Sequence, residues 1–184
     1  MASPGWRATY RQALVLGVFT CGLLAGGVLT AGVLWLLSGL FTPLPAVVRQ
    51  GLIVAVVLLA VLRDAGKLSL RLPQNARQIP QDVLRRHLAR GALQFGFELG
   101  TGVRTYVSAS APYAIAVAVL LSGGSYAPAL AVGLGFGAGR ALTPALRRLS
   151  GDGERWDDLL AARLSGMTVV CSVLIAAAAL TVRQ

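Results

Sequence analysis

The sequence predicts an all-α fold, a polytopic membrane helix bundle of about five transmembrane helices with one broken helix, and three observations predict it. The first is polarity. The 184 residues are 55% hydrophobic and 13% charged, with a mean hydropathy of +0.69, which leaves too little polar surface to cover a soluble domain. The second is length, because apolar runs recur near the ~20 residues that a helix needs to cross a ~30 Å hydrocarbon core. The third is placement. Seventeen basic residues against 7 acidic ones give a net charge of +10, and the basic residues sit almost entirely between the apolar runs. No aromatic-studded basic stripe or zinc-ligand spacing accompanies that charge, so a nucleic-acid partner is not indicated.

Residues 1–184 read as a single transmembrane domain. Its first span, about 13–41, is long enough to cross with tilt. It follows Arg7 and Arg11 and runs well beyond the ~7 to 15 apolar residues of a signal peptide, as a retained signal anchor would. Thr42-Pro43-Leu44-Pro45 breaks it, since paired prolines remove backbone donors and favour extended geometry. The second span, about 44–62, carries Arg49 near its start, where a long side chain can snorkel toward the headgroups.

A polar loop at about 63–91 follows, with Lys67, Arg71, Arg77, Arg85 and Arg86 against Asp64 and Asp82. Within it, Pro80 to Leu88 reads as a short amphipathic helix on the membrane surface. The third span, about 92–123, is too long for one simple crossing and carries Glu98, Arg104 and Pro112, so it is expected to be broken. The fourth, about 126–142, alternates Gly133, Gly135, Gly137 and Gly139 and ends at Arg140. A second loop at about 143–164 mixes Arg147, Arg148, Arg155 and Arg163 with Asp152, Glu154, Asp157 and Asp158, and the last span is about 165–182. Arg7, Arg11 and both loops then share one face. The positive-inside rule makes that face cytoplasmic in a bacterial-type inner membrane, with the N-terminus inside and the C-terminus outside.

Ionisable groups at membrane depth face a bundle interior or a wet cavity, which makes Glu98 and Arg104 the first candidates for gating or binding. Six residues apart, they would point roughly 240° apart on a continuous helix. Direct pairing therefore needs a break, which Gly100-Thr101-Gly102 could supply. A second reading has both near the cytoplasmic interface, snorkelling or paired structurally. Ser108, Ser110, Pro112 and Tyr113 combine hydroxyls with a proline that frees a carbonyl, an arrangement that discontinuous helices use to line a substrate path. The same residues also describe a proline kink healed by serine hydroxyls.

Gly22 with Gly26, Gly96 with Gly100, and Gly133 with Gly137 repeat the small-xxx-small spacing of close helix packing, within a bundle or a homo-oligomer. Alternate glycines around Phe136 do not form a dinucleotide fingerprint, because no βαβ context precedes them. Cys21 and Cys171 lie in apolar runs far apart, as packing residues or as a dithiol if helices one and five meet. His87 has no partner ligand near in sequence, and no metal or other cofactor is indicated. No soluble segment is large enough for a catalytic core, so no enzyme activity is expected.

Gly100 to Arg140, with Ser110-Ala111-Pro112, a Gly123-Gly124 turn and Gly133-Leu134-Gly135-Phe136-Gly137-Ala138-Gly139-Arg140, resembles one repeat of the transmembrane electron carriers of the CcdA and DsbD type, within the LysE-like transporter group. The resemblance implies two inverted three-helix repeats with a Pro-Cys pair in a broken helix. Here Tyr113 stands where that cysteine follows the proline, and a phenol cannot perform thiol-disulfide exchange. The expectation is therefore a small transporter or translocation subunit. Two alternatives stand beside it: a non-catalytic membrane partner or assembly factor docking a membrane protein or anionic lipid, and a thiol redox carrier using Cys21 and Cys171.

Overall fold

A computed structural model describes residues 4–69, 88–102 and 109–181. Among them are six α-helices and no strand: α1 (Pro4–Ser38), α2 (Ala46–Asp64), α3 (Leu88–Thr101), α4 (Ala111–Ser122), α5 (Tyr126–Leu149) and α6 (Gly153–Thr181). Among the described residues, three stretches are long and apolar enough to cross a membrane: Arg11–Phe41 with 31 residues, Ala46–Asp64 with 19 and Tyr126–Leu149 with 24. The all-helical class is as the hydropathy pattern predicts. The amphipathic segment expected from Pro80 lies outside the described residues, except Leu88, which opens α3.

Local chemistry sets each described boundary. Beyond Ser38, α1 tightens into a 3-10 turn over Gly39–Phe41, with the Thr42 hydroxyl donating to the Gly39 carbonyl at 2.7 Å. Pro45 caps α2, its carbonyl accepting from the N–H groups of Val48 and Arg49 at 3.0 and 3.1 Å. α2 ends in a left-handed Gly66 (φ 73°). There the Lys67 N–H reaches the Leu62 carbonyl and the Gly66 N–H reaches that of Arg63, both at 2.9 Å, which satisfies carbonyls that a helix end leaves open. Gly102 (φ 70°) stops α3 and Gly123 (φ 59°) stops α4 in the same way. Across 92–123, expected to be one broken span, the described residues form two short helices, α3 of 14 residues and α4 of 12.

The segment 143–164, expected as a loop, is a correction: it is helical on both sides of a short turn. α5 continues past Pro144 to Leu149, and α6 begins at Gly153, after a turn that uses Gly151 (φ 73°). Hydropathy marks where a helix stops being apolar, not where it stops being a helix. Pro144 removes the bond to the carbonyl four residues back and crowds that carbonyl, which a helix can accommodate by bending. The Asp152 carboxylate then caps α6 by accepting from the Arg155 N–H at 3.1 Å.

The described structure forms two compact units. The first falls within Met1–Thr30, Gln74–Tyr106 and Ala131–Gly151, and the second within Ala31–Pro73, Val107–Leu130 and Asp152–Gln184. In the first, α1 meets α3 and α5 backbone to backbone at its glycines, and the Phe19 ring of α1 stacks on the Phe95 ring of α3 with centroids 5.7 Å apart. A Cβ on Gly22 would strike the Leu93 carbonyl, one on Gly26 the Phe97 carbonyl, one on Gly96 the Phe19 carbonyl and one on Gly100 the Leu23 carbonyl. One residue around α1, a Cβ on Gly27 would strike the Gly133 carbonyl, and one on Gly137 would lie 2.7 Å from the Leu23 carbonyl. All three glycine pairs picked out by spacing therefore meet around Leu23, the one large side chain fully buried among the described residues.

In the second unit, α2, α4 and α6 pack on one another. Val57 and Ala60 of α2 close on Ala114 of α4, with Ile53 and Val56 beside them. Buried positions are mostly alanine, while Leu36, Val47, Leu58 and Leu174 lie exposed. Small residues inside and large apolar ones outside is the reverse of a water-soluble core and the pattern of helices solvated by lipid.

Candidate functional site

The site is built around the two ends of α4. At 12 residues and 1.5 Å per residue it is about 18 Å long, shorter than a ~30 Å hydrocarbon core. Its terminal N–H and C=O groups would lie where water cannot satisfy them. α2 supplies both remedies.

At the N-terminus of α4, the Ser110 backbone N–H lies 3.1 Å from each carboxylate oxygen of Asp64. The Ser110 hydroxyl donates to Asp64 Oδ1 at 2.8 Å and accepts from Arg63 Nη1 at 2.9 Å. The same guanidinium nitrogen lies 3.2 Å from Asp64 Oδ1, with only 1% of the Asp64 side chain exposed. An anion at a helix N-terminus is favoured by the dipole and by the orphan donors there. A buried carboxylate also needs a cation and hydrogen bonds, and Arg63 and Ser110 contribute both.

At the opposite end, Arg49 Nη1 donates to the last carbonyls of α4, to Leu121 at 3.4 Å and Ser122 at 3.3 Å. A cation belongs at that pole of the dipole. The turn beyond is pinned by Trp35, whose indole N–H donates to the Gly124 carbonyl at 3.0 Å and whose ring meets Tyr126 edge-on at 5.2 Å.

Of the residues singled out from sequence, the structure gathers Ser110, Pro112 and Tyr113 at this N-terminus. Pro112 sits in the first turn of α4, where its missing N–H costs no bond. The Tyr113 N–H donates to the Ser110 carbonyl at 3.1 Å. Glu98 lies in the first unit, half-buried on α3, and accepts from the Gln94 amide at 3.2 Å. Arg104 and Ser108 lie outside the described residues, as does His87. Cys21 and Cys171 are exposed free thiols, and the described residues hold no cluster of metal-ligating groups.

Sequence reasoning missed Asp64 and Arg63, which read as loop charges, and gave Arg49 only a snorkelling role. The available signal was an Arg-Asp pair closing an apolar run just before a glycine. Compared with family models, curated proteins and solved structures, the chain matches none.

Proposed function

We propose that the chain is a five-span protein of a bacterial-type inner membrane, a small transporter or translocation subunit of LysE-like kind that moves a small solute or ion. The observation that carries the reading is the short helix α4, with the buried Asp64 carboxylate at its N-terminus and Arg49 at its C-terminus. Discontinuous helices with charge-matched ends hold the substrate and ion sites of many transporters. In this reading α6 supplies the fifth span, and the basic segments 63–91 and 143–164 face the cytoplasm with the N-terminus. Ser108, Ser110, Pro112 and Tyr113 are the candidates for lining the path, and Glu98 and Arg104 are the candidate gating charges.

The test is cysteine accessibility in oriented vesicles. Single cysteines at positions 98, 104, 108, 110 and 113 replace the native residues in a chain whose Cys21 and Cys171 are serine. Labelling of 108 and 113 by a membrane-impermeant thiol reagent is expected, with 110, buried against Asp64, reacting more slowly. Full protection of all five would leave no aqueous path and end the transport reading.

One observation favours a second reading, a membrane partner or assembly factor. Gly135 and Gly139 of α5 face open space, a further small-xxx-small spacing with no described helix against it. Co-purification of a stoichiometric membrane protein in mild detergent, with vesicle cysteines protected, would favour it.

A further inference from the structure

Between α1 and α3, within the first unit, runs an open groove of about 360 Å³ lined by Gly22, Ala25, Leu93 and Phe97, with Arg90 and Gln94 on the α3 side. The glycine contacts create it. Gly22 lets the α3 backbone approach so closely that no side chain can fill the line between the helices, and Ala25 adds only a methyl group. Leu93 and Phe97, both exposed, form the other wall.

Polarity is unevenly placed along that groove. Arg90 lies in the first turn of α3 and Gln94 one turn further in. The Arg90 side chain is exposed, and no hydrogen bond or ion pair engages it among the described residues. An arginine beside an apolar groove must reach a headgroup or water. Arg85 and Arg86 directly precede α3 in sequence, and basic residues that abut a membrane helix attract anionic lipid.

The geometry points to an anionic phospholipid as the occupant of this groove. One acyl chain lies along Gly22, Ala25, Leu93 and Phe97, and the headgroup phosphate accepts from the Arg90 guanidinium and from the Gln94 amide N–H that does not serve Glu98. Charge selects the occupant: an acyl chain alone would fit any lipid, whereas Arg90 at the mouth distinguishes a net-negative headgroup from a zwitterionic one. Glu98 lies two turns from Arg90, about 12 Å along the axis, too far to neutralise it.

The test is native mass spectrometry of the full chain in mild detergent, titrated with phosphatidylglycerol or phosphatidylcholine of identical acyl chains. Wild type is expected to retain one phosphatidylglycerol roughly fivefold more tightly than phosphatidylcholine, whose phosphate also reaches Arg90 but whose choline ammonium cancels the net charge. Arg90→Gln is expected to erase that preference while still binding both lipids weakly. Ala25→Phe, which fills the groove, is expected to lower retention of both, with unchanged melting as the control for folding. Equal retention of the two lipids by wild type would overturn the proposal, as would an undiminished preference in Arg90→Gln. Displacement of the lipid by glycerol phosphate at matched concentration would also overturn it, because the groove would then be a plain anion site.

Discussion

The guanidinium of Arg49 occupies the place where a side chain on Gly123 would stand. Gly123 is left-handed at φ 59°, and Arg49 bonds the Leu121 and Ser122 carbonyls just before it. Gly123→Ala therefore meets both backbone strain and displacement of the cap. Loss of about 1 to 3 kcal/mol is expected, measured by thermal or denaturant unfolding in detergent. Arg49→Met, which keeps the apolar stem and removes the donors, should lose a similar amount. Combined with Gly123→Ala, it should cost clearly less than the sum of the two. Simple additivity would show that Arg49 does not cap α4.

At the other pole, Asp64→Ala leaves the Ser110 N–H and the Arg63 guanidinium facing an apolar gap. The expected loss is about 3 kcal/mol, in the range for breaking a buried charge pair from one side. Asp64→Asn keeps an acceptor for the Ser110 N–H and should cost less. Ser110→Ala removes only the hydroxyl bonds and should cost about 1 kcal/mol. A double-mutant cycle between Asp64 and Ser110 that gave no coupling energy would contradict the geometry.

The two ends of α4 explain why part of the fold was legible and part was not. Apolar length marked the helices because lipid as solvent leaves few other places for runs such as Ala46–Asp64. The spacing of Gly96 and Gly100 marked a close approach, since backbone contact has a four-residue signature on a helix. Which glycine pair faces which was not readable, because facing depends on rotation about each axis. Nor was Asp64 readable as the partner of Ser110, 46 residues away, because a carboxylate at the edge of an apolar run looks the same in sequence whether it ends in water or on a helix N-terminus. The extent of α5 and α6 was missed for a simpler reason. Pro144 and the charges after it resemble a loop, while one proline and a polar face still permit a helix.

The turn between α5 and α6 gives an independent check on that correction. Asp152→Ala removes the acceptor for the Arg155 N–H and should lower stability by about 1 kcal/mol, the usual value of an N-cap. Asp152→Ser or Asp152→Asn should restore most of it, since either side chain can accept the same bond. If 143–164 were a loop, all three substitutions would melt like the wild type.

The sharpest contrast lies on α5, where two glycines two residues apart carry opposite expectations. Substituting alanine gains helix propensity of about 1 kcal/mol at either position, because glycine is the poorer helix former. At Gly135 nothing lies within 4 Å of an added Cβ, so Gly135→Ala should be neutral or stabilising within the isolated chain. At Gly137 the Cβ would sit 2.7 Å from the Leu23 carbonyl oxygen and 2.9 Å from the Leu24 Cα. These are backbone atoms that cannot rotate away, so α1 and α5 must separate and the Leu23 packing opens with them. Gly137→Ala should therefore be destabilising by about 1 to 3 kcal/mol, as overpacked sites are. The readout is the difference in melting temperature between the two variants in one detergent, which cancels the shared propensity gain. A Gly137→Ala protein that melts no lower than Gly135→Ala would mean that α1 and α5 do not meet at their glycines.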